Sequence, residues 1–139
     1  MNNDGESTMK ICGFFLLLFI SFNAFSENLA DKIRTQNSEQ LDRIAKQIAD
    51  NVASELPIRV NKNAVVTSIV YVKNSKTFMY FYELVDSENL LLMKKDSVAW
   101  ACSDPIMSAF MDKGIRYKYV YANQEKKQIG SYYVTNQDC

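Results

Sequence analysis

An apolar run over residues 11–22, introduced by Met9-Lys10 and followed by Ala24-Phe25-Ser26 and then polar Glu27, limits how much of this chain is available to fold. One positive charge, a short apolar core and small residues ahead of a polar one are the parts that signal peptidase reads. Residues 1–26 are therefore expected to be a secretory signal peptide, cut after Ser26. The run falls short of the roughly 20 residues a helix needs to cross a bilayer, so a retained anchor is the weaker reading and no stable membrane insertion is expected after cleavage. Residues 1–8 are polar and acidic, unlike the basic start of such a signal, and translation is expected to begin at Met9. Cys12 lies inside the apolar core and leaves with it, so it is not read as an acylated cysteine. What remains, residues 27–139, is enough for one domain with one core and too short for two. The expected location is the periplasm.

That location changes how the cysteines are read. Cys102 and Cys139 remain after cleavage, in a compartment where thiols are oxidised, and the simple inference is one structural disulfide. A redox pair is the alternative, although the chain has no Cys-x-x-Cys. The 16 Lys and Arg balance the 16 Asp and Glu, which leaves no electrostatic footprint for nucleic acid or an anionic membrane. With 4 Gly, 2 Pro and no low-complexity tract, the domain is expected to be ordered from about residue 38.

Leu41, Ile44, Ala45, Ile48, Ala49 and Val52 fall at the spacing of one helical face. Asn37 or Ser38 can cap that helix, with Gln40 reaching back, and Leu56-Pro57 ends it. Glu39, Asp42, Arg43, Lys46 and Asp50 are assigned to its solvent face, and Leu29 and Ile33 are candidates for a backward extension. Residues 65–72 and 78–85 are rich in β-branched and aromatic side chains around a polar turn at 73–76 and read as a hairpin. A helical segment follows from Asp86, with Leu90, Leu91, Val98 and Ala101 as its expected buried set and Asp96-Ser97 as a candidate break. Asp104-Pro105 then starts a short helix that buries Ile106 and Phe110 and stops at Gly114. A second hairpin spans residues 115–122 and 128–135. The expected fold is an α+β domain: a four-stranded antiparallel sheet of two hairpins, with the N-terminal amphipathic helix and the central helices on one face.

The chain has no histidine, which removes Ser-His-Asp and Cys-His nucleophiles, imidazole acid–base chemistry and the commonest zinc ligand. No catalytic residue, metal site or cofactor is expected. Three arrangements still merit a structural test. Glu83, inside an apolar strand, is either a buried general acid or a residue on the solvent face. Tyr117, Tyr119 and Tyr121 with Arg116 and Lys118 form either a base-stacking platform or an aromatic face beneath helices. Trp100, Met107, Phe110 and Met111 line either a small apolar groove or the core.

Ala101-Cys-Ser-Asp-Pro105, Met111-Asp-Lys-Gly114, Tyr117-Lys-Tyr-Val-Tyr121 and the terminal Asp138-Cys139 together resemble a group of small exported bacterial proteins of uncharacterised function. The resemblance runs from about Leu56 to Cys139, and its most specific elements are Cys-Ser-x-Pro and the terminal Asp-Cys. It implies an exported domain with those two cysteines joined, and it carries no activity. The expected role is protein binding in the envelope, as an accessory of a secretion, pilus or toxin-immunity system. A small-ligand binder with an apolar pocket between helices and sheet is the alternative, and an enzyme working without histidine comes third.

Overall fold

The computed structural model describes residues 23–86 and 90–139; Met9, the apolar run and Cys12 lie outside them. In chain order the helices are α1 (Asn23–Thr35), α2 (Ser38–Ala53), α3 (Leu90–Ser103) and α4 (Pro105–Asp112). The strands are β1 (Ile58–Asn61), β2 (Ala64–Val72), β3 (Thr77–Leu84), β4 (Arg116–Ala122) and β5 (Gln128–Val134).

Asn37 sets the start of α2. Its side chain accepts from Gln40 N at 2.9 Å, and Gln40 Oε1 accepts from Asn37 N at 3.4 Å, so two otherwise orphaned donors are satisfied reciprocally. The same cap separates α2 from α1, which is a distinct helix rather than an extension of it. Helix α1 precedes residue 38, where order was expected to begin, because Ala30 and Ile33 give it a buried stripe against α4. Arg34 Nε donates to Asp112 Oδ2 at 3.1 Å across that contact. Asp104 caps α4 by accepting from Met107 N, Pro105 fills its first turn, and Gly114 takes the left-handed conformation (φ 85°) just beyond it.

The strands form one five-stranded sheet in the order β1-β2-β3-β4-β5. Two features correct the expected four-stranded antiparallel sheet. Ile58–Asn61 adds an edge strand paired antiparallel to β2, a segment whose two apolar residues, Ile58 and Val60, are too few to announce a strand beside Pro57. And β3 pairs with β4 in parallel, Phe78 opposite Tyr117 and Tyr82 opposite Tyr121, while the other neighbours are antiparallel. Each hairpin was legible separately; their mutual direction depends on how α3 and α4 carry the chain back across the sheet, which no local pattern encodes. In β2 a register shift between Val66 and Ser68 lets Val66 and Ile69 both face the core, so its apolar alternation is weak.

Helices α2, α3 and α4 cover the sheet face that carries Phe78, Tyr80, Tyr82 and Leu84 of β3 and Tyr117, Tyr119 and Tyr121 of β4. Asp96-Ser97 does not break α3: Ser97 Oγ lies 2.8 Å from Tyr132 Oη and ties the helix to β5.

Candidate functional site

The aromatic face is a packed ladder, closed to bases. The parallel register stacks Phe78 on Tyr117 (ring centroids 5.5 Å), Tyr80 on Tyr119 (5.2 Å) and Tyr82 on Tyr121 (5.0 Å), and Tyr132 of β5 continues the row beside Tyr119 (5.3 Å). Arg116 and Lys118 project from the opposite face, where both lie over the ring of Tyr133. Burial pushes the hydroxyls of Tyr80, Tyr82, Tyr117 and Tyr119 well above the usual phenol range, so they stay neutral. Tyr117 Oη donates to Met107 O at 3.2 Å, and the hydroxyls of Tyr121 and Tyr132 bond each other at 2.6 Å. Tyr119 Oη is buried without a hydrogen-bond partner among the described residues. A buried unsatisfied hydroxyl costs about 1–3 kcal/mol, so Tyr119→Phe is expected to raise the unfolding free energy by about 1 kcal/mol; a loss in urea titration would show that the hydroxyl is satisfied.

Trp100, Met107 and Phe110 line a cavity between the helices and the sheet, together with Ile48, Asp104 and Tyr80, while Met111 is buried elsewhere in the core. Its volume is about 20 Å³. That admits about one water molecule, whereas small-molecule sites run to roughly 300–1,000 Å³. Asp104 stands at its wall. Burial raises its carboxyl pKa, and the N–H groups of Met107 and Ile106 pull the other way, as a helix cap does.

Cys102, in the last turn of α3, is bonded to Cys139, with Cα atoms 5.5 Å apart. Cys139 follows a short turn, Asn136–Asp138, that Thr135 and Asp138 cap reciprocally. The bond therefore fastens the chain beyond β5 to the junction of α3 and α4. Glu83 is half-buried on the open sheet face and paired with Lys126 from the β4–β5 loop.

Two features lay outside the expected site. Asp42, assigned to the solvent face of α2, is 6% exposed. Lys76 Nζ donates to both of its carboxylate oxygens at 2.7 Å and to Ser38 Oγ at 2.9 Å, and Tyr71 Oη donates to Oδ1 at 2.6 Å. A signal was present: Asp42, Ala45, Ala49 and Val52 themselves follow helical spacing.

The second feature is on α3. Leu91, expected in the core, is 83% exposed, and Leu92 is 55% exposed. The apolar residues of α3 are spread around its circumference and Lys94, Lys95 and Asp96 fall in one consecutive block among them, so periodicity selects no single buried face. Contact with β5 chooses Leu90 over Gly130 and Ser97 at Tyr132, with Ala101 buried on the same side, and this turns Leu91 and Leu92 outward. The arrangement leaves apolar side chains of α3 at the surface.

Among the described residues, three helices on one face of a five-stranded mixed sheet, a further helix packed on α4, and a disulfide joining the chain end to the helical layer define a small α+β scaffold with apolar side chains of α3 left at its surface. Two solved pilotins have the same fold. EpsS of the Vibrio vulnificus type 2 secretion system matches with a TM-score of 0.63 at 23% identity, over 73% of this chain and 94% of that one. AspS of the Vibrio cholerae type II secretion system matches at 0.61 and 17%, over 73% and 94%. A Pseudomonas aeruginosa protein described as secreted matches at 0.62 and 11%, over 73% and 95%. No curated protein matches the chain in sequence. Over residues 39–130 the chain matches DUF8479, a domain of unknown function, and belongs to that family.

Proposed function

We propose that this chain is an exported accessory of a bacterial secretion system, acting in the envelope by holding a protein partner. The observation that carries the reading is the shared fold with two pilotins of type II secretion systems. The cavity of about 20 Å³ leaves no room for a small ligand between helices and sheet, which favours recognition on the surface. In this reading the Cys102–Cys139 bond is a structural staple, and the envelope is where it forms.

Export follows from the signal read in residues 1–26. Cleavage after Ser26 removes the start of α1 and leaves Ala30, Ile33 and the Arg34–Asp112 bond in place, so the mature helix keeps its dock on α4. The periplasmic protein is expected to begin at Glu27 by N-terminal sequencing; a membrane-held product that retains residues 11–22 would refute this.

The partner is tested by affinity purification of the tagged protein from detergent-solubilised envelopes, followed by mass spectrometry. Components of the secretion apparatus should be enriched over an unrelated tagged periplasmic protein. Their absence from native and crosslinked preparations alike would overturn the reading.

A further inference from the structure

On α3, Leu91, Leu92, Lys95, Val98 and Ala99 recur at i, i+1, i+4, i+7 and i+8, the spacing of one continuous helical face. It is the face turned away from β5: Leu91, Leu92, Lys95 and Ala99 are exposed and Val98 is half-buried. The sheet-facing side is already satisfied by Leu90, Ser97 and Ala101. The stripe therefore faces water with the pattern of a helix that has lost its cover.

Lys95 lies at the centre of this stripe, and neither it nor Lys94 makes an ion pair with any described residue. Lys94, on the flank, lies over the ring of Tyr132 at 5.8 Å. Whatever covers the leucines also strips water from the Lys95 ammonium, and a buried cation without a partner is strongly unfavourable. The cover must bring its own carboxylate. A second copy of this chain does not: a two-fold pairing of α3 with itself about the centre of the stripe sets Lys95 against Lys95. A membrane surface fits poorly, since two lysines on a chain of formal net charge 0 attract anionic lipid only weakly.

We infer that the outer face of α3 docks an amphipathic helix of a partner protein, with apolar residues at i, i+3 or i+4 and i+7 seated on Leu91, Leu92 and Val98, and an Asp or Glu between them paired with Lys95. This rests on the protein-binding reading above and places it on one surface. Recognition of this kind is helix against helix, with the apolar positions supplying affinity and the carboxylate fixing register.

The test is photocrosslinking in cells that make the full chain, with a photoreactive amino acid at position 91, 92 or 99, and at exposed Gln124 as the control, each adduct mapped by mass spectrometry. The expected result is a protein adduct from 91, 92 and 99, absent from 124, on a segment with helical apolar spacing and an acidic residue. Lys95→Glu should reduce that adduct at least tenfold, and reversing the partner's acidic residue to Lys should restore it. Because Leu91 and Lys95 are exposed, these variants should unfold at the wild-type temperature, so lost crosslinking reads the contact itself. Adducts to a second copy or to lipid, no adduct above the position-124 control, or a partner segment without an acid would each overturn the inference. If the secretion apparatus co-purifies while the α3 adducts fail, the surface is wrong and the proposed function stands. An acidic amphipathic helix from a protein outside any secretion system would uphold the surface and overturn the secretion reading.

Discussion

Removing the Cys102–Cys139 bond, by reduction or by Cys102→Ser with Cys139→Ser, is expected to lower the unfolding free energy by about 4 kcal/mol. The bond closes a loop with a sequence separation of 37, and the loss of unfolded-state freedom scales with the logarithm of that length. The closed loop contains α4, β4 and β5, so the constraint spans the C-terminal antiparallel hairpin and the helix before it. That is a large part of the roughly 5–15 kcal/mol by which small domains are stable. Urea titrations with and without reductant measure the difference. The α1–α2 half should keep its hydrogen-exchange protection longest, and β5, at the edge of the sheet, should lose it first. A change below about 1 kcal/mol would mean that the reduced chain already holds its end against α3, contrary to the entropic account.

Lys76→Met is expected to cost about 3 kcal/mol, because it leaves the Asp42 carboxylate buried without its cation. The figure sits at the low end for broken buried pairs, since the Lys76 side chain is 35% exposed and water can approach its place. The Tyr71 hydroxyl and the more distant Lys73 charge remain to hold the carboxylate. Replacing both partners, Asp42→Leu with Lys76→Met, should recover most of the loss, since no charge is then stranded; if it is as unstable as Lys76→Met, the damage lies in packing. The pair also has an acid signature. Burial by itself raises the Asp42 pKa, but the hydrogen bonds from Lys76 and Tyr71 and the charges of Lys76 and Lys73 outweigh it and hold the carboxyl below its usual value. A depressed folded-state pKa stabilises the fold at pH above the unfolded value of about 3.9, and that contribution is lost as the pH falls through the folded value below it. Asp42→Asn should therefore flatten the stability profile below about pH 4; an unchanged profile would show that another carboxylate governs acid unfolding.

Asp42 was assigned to water because a carboxylate on an amphipathic helix usually belongs there; its burial depends on Tyr71 and Lys76, which are 29 and 34 residues away in sequence. Leu91 was assigned to the core because leucine usually belongs there, and the polar residues of α3 do not gather on one face to argue otherwise. The Trp100, Met107 and Phe110 cluster was legible as apolar and adjacent, but whether it opens a pocket depends on how closely Ile48 and Tyr80 approach from other elements.

By itself the sequence determined what short-range physics encodes. The Asn37–Gln40 box, the Asp104 cap with Pro105 and the Gly114 stop mark helix ends because each is a bond or steric rule among residues four or fewer apart. The alternation of Tyr117, Tyr119 and Tyr121 marks a buried strand face because side chains in a strand repeat every second residue. Tertiary structure alone decided the parallel β3–β4 pairing, the β1 edge strand, the burial of Asp42 and the exposure of Leu91 and Leu92. Each of these depends on which surfaces meet after the chain has crossed the sheet, and the free energy that selects the meeting comes from buried area and paired charge summed over distant segments.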